Sequence, residues 1–87
     1  MKTCVFAGSF DPFTKGHQFV VDKSLEIFDK VIIAVGKNTD KKPLLTEKER
    51  VECIQKIYEN DSRVEVTCFE GMLVDFMKAR GILTTVM

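Results

Sequence analysis

Gly8-Ser9-Phe10-Asp11-Pro12-Phe13-Thr14-Lys15-Gly16-His17 brings two glycines, a proline, small hydroxyl residues and the chain's only histidine within ten positions. Gly8 and Gly16 could let backbone approach a ligand closely or take a positive φ. Asp11-Pro12 turns the chain, because proline fixes its own φ and disfavours α backbone in the residue before it. Such a turn between strand and helix leaves unpaired N–H groups at the helix start, which suit an anionic phosphate. A neutral imidazole at His17 can donate one hydrogen bond to a phosphoryl oxygen. Lys41 and Lys42, in a polar stretch further on, could neutralise charge. The plainer readings are a tight turn capped by Thr14, a structural histidine and solvated surface lysines.

Other chemistries fit these residues less well. Ser9 has no second histidine or adjacent base to make it a nucleophile. The loop is neither a Walker A pattern nor GxGxxG, which weakens P-loop and dinucleotide-dehydrogenase readings. Three cysteines, Cys4, Cys53 and Cys68, form no CxxC and with one histidine make no zinc site of recognised spacing. Taken together, the residues fit phosphate binding better than acid–base hydrolysis. A phosphate attacking another phosphorus is already an anion and needs alignment and charge neutralisation rather than a general base.

Composition sets the frame for that site. A chain of 87 residues is one domain, residues 1–87, with a thin stability margin. Its 45% hydrophobic and 30% charged residues are those of a soluble globular protein. Thirteen basic and thirteen acidic side chains cancel, so no global field steers the chain to nucleic acid or an anionic membrane. No signal peptide or membrane-spanning run is legible. The cysteines fall in apolar patterns and are expected to be buried, reduced thiols of a cytoplasmic protein.

The elements that must position the loop follow from periodicity. Residues 3–7 read as a buried strand, and 18–28 as an amphipathic helix with Val21, Leu25 and Phe28 on one face. Val31-Ile32-Ile33-Ala34-Val35 is a β-branched run of the kind buried on both faces of a parallel sheet. Thr46-Glu47-Lys48-Glu49 is a capping box, and its helix continues through Val51, Ile54, Ile57 and Tyr58. Residues 64–68 alternate like an edge strand. Residues 70–80 form a third helix stopped by Gly81, and 82–86 a last strand. The β-α-β-α-β-α-β order predicts a Rossmann-like open parallel α/β sheet with right-handed crossovers. Ligands in such sheets sit beyond the carboxyl ends of the strands, where residues 9–17, 36–43 and 69–73 would converge.

These blocks carry a resemblance. Gly8-Ser9-Phe10-Asp11-Pro12 with Thr14-Lys15-Gly16-His17 resembles the (H/T)xGH signature of the nucleotidyltransferase superfamily. Lys41-Lys42-Pro43-Leu44, Thr46-x-x-Glu49-Arg50-Val51 and Phe69-x-Gly71-Met72-Leu73-Val74-Asp75 are similar to the phosphopantetheine adenylyltransferases. The resemblance implies transfer of AMP from ATP to 4′-phosphopantetheine, giving dephospho-coenzyme A and pyrophosphate with Mg²⁺, in coenzyme A biosynthesis. It implies that Ser9 and Phe10 contact substrate phosphate and nucleotide. His17 would stabilise the transition state on the α-phosphate, Lys41 would bind the phosphate of phosphopantetheine and bridge catalytically to the reacting centre, and Leu73 would help hold the pantetheine arm. No residue is implied as a metal ligand.

The family's arginine-rich RGxR block and its serine/threonine-rich block have no counterpart among these residues. The chain therefore reads as the N-terminal half of the family fold, truncated before the fifth strand. One expectation is an enzyme of this type. The alternative is a non-catalytic remnant that at most binds nucleotide or phosphopantetheine weakly. An exposed strand edge predicts self-association as a homo-oligomer whose interface differs from the family's hexamer.

Overall fold

A computed structural model describes residues 2–10, 13–36, 46–82 and 84–85. Three strands, β1 (Thr3–Gly8), β2 (Lys30–Gly36) and β3 (Val64–Phe69), alternate with helices α1 (Lys15–Ile27), α2 (Glu47–Ile57) and α3 (Leu73–Arg80). The strands pair in parallel, β1 on β2 from Thr3↔Lys30 to Gly8↔Val35, and β2 on β3 from Val31↔Val64 to Gly36↔Phe69. Val5 also bridges Thr85 in parallel, its N–H donating to the Thr84 carbonyl at 3.0 Å. Because β2 occupies one edge of β1, Thr85 lies on the other. The chain thus runs outward from β1 to β3 and then returns to the far side of β1. This reversal of strand order makes the carboxyl end of β1 the place for a ligand.

The unbroken apolar run of β2 is buried on both faces, with Val31, Ile33, Ala34 and Val35 wholly inaccessible. One face carries Cys4, Phe6, Phe10, Val31, Ile33 and Val35, covered by Val21 of α1 and Ile54 of α2. The other carries Val5, Ile32 and Ala34, covered by Met77 of α3. Helices on both faces are what a parallel sheet requires.

Several expectations need correction. The helix read as 18–28 begins at Lys15, because Thr14 is its N-cap. The third helix begins at Leu73 rather than at residue 70, since Gly71 takes a left-handed backbone (φ 81°) and breaks the helical path before Met72. In place of a strand over 82–86, the described residues show only the Thr85 bridge. Of the cysteines only Cys4 is buried, and burial pushes its thiol pKa up. Cys53 stands on the outer side of α2, one residue off the face that buries Ile54. Cys68 is exposed on the outermost described strand, in a hollow it shares with Lys48, Val51, Glu52 and Gln55, so α2 covers it only in part.

Candidate phosphate site at the carboxyl end of the first strand

The loop after β1 is shaped by aromatic packing. Phe10 turns its ring into the core, 3% exposed, with φ at 49°. A positive φ at a residue with a large side chain is uncommon and persists only where its surroundings fix it. The ring provides that fixation, lying edge-on to Phe6 at 5.1 Å and to Phe13 at 5.3 Å. It also explains Gly8, where a Cβ would stand 3.1 Å from the Phe10 ring. Neither Gly8 nor Gly16 takes the positive φ that glycine would permit; Phe10 does so instead.

His17 occupies the third position of α1, where it completes a capping box with Thr14. The Thr14 Oγ1 accepts from the His17 N–H at 3.4 Å, and the Thr14 N–H donates to His17 Nδ1 at 2.9 Å. A backbone N–H can only donate, so Nδ1 presents its lone pair. The neutral ring then carries its proton on Nε2, which is left as the donor. Phe13 stacks on the imidazole at 5.3 Å and Phe10 meets it edge-on at 5.0 Å, which fixes the ring plane. Among the described residues nothing accepts from the N–H groups of Lys15 and Gly16 in the first turn. Among the described residues a Cβ on Gly16 would meet only Thr14 Oγ1, at 3.6 Å.

Ser9, Phe10 and His17 are therefore brought together at one strand end. Leu73 is not with them: it opens α3 on the opposite face of the sheet. There it lines an apolar hollow of about 430 Å³ with Val74, Met77, Lys78, Ile82 and Thr85. Lys41 lies outside the described residues. Among the described residues no group of three or more His, Cys, Asp or Glu side chains could hold a metal ion.

Arg50 is the residue whose place sequence reasoning did not foresee. It is 2% exposed, and its Nη1 donates to the Ser9 carbonyl at 2.6 Å and to the Gly36 carbonyl at 3.3 Å. A signal was present: Arg50 is four residues before Ile54 and so shares its buried face. The helix that delivers it starts from Thr46 and Glu49. Their reciprocal 3.1 Å bonds cap α2, and the bonds from Thr46 hold the Glu49 carboxyl below its ordinary range.

Residues 5–87 match the family model described as cytidylyltransferase-like. The chain belongs to that family. Among its relatives, the phosphopantetheine adenylyltransferase of Clostridium botulinum (strain 657 / Type Ba4) is 50% identical over 80 residues, 92% of this chain and 49% of the relative. That of Christiangramia forsetii is 41% identical over 81 residues, 93% of this chain and 54% of the relative. This cytidylyltransferase-like chain spans about half the length of the curated relatives it matches. Its fold resembles that of a NadR protein solved with NAD and AMP-PNP, at TM-score 0.76 and 15% identity. The match covers 95% of this chain and 28% of the NadR chain. Among the described residues no helix is long and apolar enough to cross a membrane.

Proposed function

We propose that the chain carries the phosphate-binding half of a pantetheine-phosphate adenylyltransferase site. The reaction is attack by the phosphate of 4′-phosphopantetheine on the α-phosphorus of ATP, giving dephospho-coenzyme A and pyrophosphate. The nucleophile is an anion as it arrives, so the protein must align two phosphates and absorb negative charge. His17 Nε2–H donates to the α-phosphate as charge builds there, and the first-turn amides of α1 add backbone dipoles. Ser9 meets substrate phosphate with its exposed side chain. Phe10, its ring turned inward, meets ATP through its backbone. Lys41 binds the phosphopantetheine phosphate, and Leu73 lies along the pantetheine arm. Magnesium enters as part of the MgATP substrate, carried by phosphate oxygens.

The observation that supports this reading best is the Thr14 N–H bond to His17 Nδ1, in a chain 50% identical to a phosphopantetheine adenylyltransferase. It leaves the imidazole a hydrogen-bond donor at the strand end where an anion would bind. We place the chain in the cytoplasm, where its substrates would be met. It also self-associates through exposed apolar side chains such as Phe19, Ile27, Met72 and Val74.

Pyrophosphate release from ATP with phosphopantetheine tests the reading, comparing the chain with His17→Ala and His17→Gln. Glutamine at this position keeps a capping-box acceptor and so separates folding from chemistry. Both variants should lose on the order of 10²–10³ in rate. An unchanged rate in folded His17→Gln would overturn the role of the imidazole. No release from the parent chain, with calorimetric binding of ATP or dephospho-coenzyme A retained, would leave a binding remnant.

A further inference from the structure

Beyond residue 8 the β1–β2 ladder ends: Gly8 pairs with Val35, and no further pairing ties the two strands together. The carbonyls of Ser9 and Gly36 lie at this frontier. Both receive Nη1 of Arg50, at 2.6 and 3.3 Å. The strand ends are close enough that a Cβ on Gly36 would stand 3.7 Å from the Gly8 carbonyl oxygen. Arg50 is 2% exposed, and among the described residues its Nε is buried without a hydrogen-bond partner and the guanidinium pairs with no carboxylate. Burying a cation on two neutral carbonyls with a donor left over is costly. A residue kept only for stability would be better served there by an apolar side chain.

We propose that Arg50 is a positioning residue that locks the loop after β1 to the end of β2. It thereby fixes Ser9 and the start of α1 relative to the second strand. Its effect on ligand rests on the adenylyltransferase reading above; the lock itself does not. One nitrogen with two hydrogens can serve two carbonyls at once, and the planar group holds both at a set angle. The guanidinium also places a positive charge beneath carbonyl oxygens that would otherwise repel an incoming phosphate. Lysine can supply the charge but not the fixed angle.

Amide hydrogen exchange on the parent chain, Arg50→Lys and Arg50→Met tests the lock without any ligand. In Arg50→Met the hydrogen-bonded amides of Thr14, His17 and Gln18 should exchange roughly 10-fold faster or more relative to residues 31–35. Arg50→Lys should recover part of that protection. Uniform acceleration across the sheet, or none at Thr14, His17 and Gln18, would overturn the lock. If neither variant folds, nitrogen-15 spectra of the parent chain decide. Resolved, slowly exchanging Nη signals of Arg50 are expected, and a fully averaged guanidinium would overturn the proposal. ATP binding by calorimetry separates the two readings. Affinity about 10-fold weaker in Arg50→Met, partly restored in Arg50→Lys, is expected. Equal affinity in all three would show a lock that positions nothing. A parent chain without affinity for ATP would overturn the adenylyltransferase reading and ligand positioning together, while exchange still decides the lock.

Discussion

On one face of the sheet, α1 and α2 press Val21, Ile54 and the Phe10 ring against Cys4, Phe6, Val31, Ile33 and Val35. On the other, α3 sets Met77 against Val5, Ile32 and Ala34, with Leu73, Phe76 and Ile82 only partly covered. The first face is dry and aromatic, and it meets the candidate site at Phe10, Phe13 and His17. The second is closed at its rim by ions: Glu65 of β3 takes Lys30 Nζ at 3.1 Å and also pairs with Arg80 of α3. The difference teaches where rigidity is placed. Interlocked rings hold geometry by excluded volume and do not depend on salt, or on pH short of tyrosine ionisation. Half-exposed ion pairs hold it weakly and depend on both.

Truncating one ring on each face measures that contrast most directly. Phe10→Ala should cost about 3–5 kcal/mol in urea unfolding, since a fully packed ring leaves a cavity. Phe76→Ala removes a half-buried ring that leans on Phe69 at 5.5 Å and should cost about 1–2 kcal/mol. Equal losses would break the distinction between the faces.

A smaller effect is expected at the ionic rim. Burial works to raise the Glu65 carboxyl, but hydrogen bonds from Arg80 and Lys30 outweigh it and leave the pKa below its ordinary 4.5. The folded chain therefore gives up this proton more readily than the unfolded one. Its stabilisation is present above pH 4.5 and is lost as pH falls through the lowered value. Glu65→Gln should cost at most about 1 kcal/mol at neutral pH and low salt. The cost should shrink in 1 M salt and vanish in acid. A salt-independent loss would mean that the rim is held by packing.

The smallest effect sharpens the first face. Among the described residues the Tyr58 hydroxyl is buried without a hydrogen-bond partner. Burial, with the negative charges of Asp22 and Asp61, pushes its pKa up to about 12 from the 10 of an exposed tyrosine. The folded state thus keeps the proton longer than the unfolded state. Tyr58 contributes its full share of stability below pH 10 and loses it as pH rises through about 12. Tyr58→Phe should be neutral to within about 1 kcal/mol at pH 7, because no bond is lost. Urea midpoints at pH 9 and pH 11 should then fall less steeply in the variant.

The legible parts of the sequence were those written locally. Thr46 and Glu49 specify their own capping box, Gly81 takes the left-handed C-cap that its type favours, and the Val31–Val35 run can be buried only between two layers. The resemblance of residues 8–17 and 41–51 to nucleotidyltransferase blocks led to the family. What escaped depends on residues far apart in the chain. Arg50 finds its acceptors 41 and 14 residues away, which no periodicity announces. The left-handed backbone at Phe10 comes from rings that surround it in space, whereas composition pointed to the glycines beside it. Cys53 and Cys68 sit within apolar patterns, yet one faces outward and the other is covered only in part by α2.

The bridge between Val5 and Thr85 has a consequence for how the molecule is made. β1 leaves the ribosome first, and β2 and β3 can add to it in turn as each crossover is completed. Among the described residues, those that claim the opposite flank of β1 are 84–85, some 80 positions later. Throughout that interval the Val5 N–H faces outward on the oldest strand of the sheet. A nascent chain in this state offers one flank to whatever extended segment arrives first, its own or a neighbour's. Slow translation through the third crossover would lengthen that exposure, so the yield of correctly paired chain should depend on synthesis rate as well as on stability.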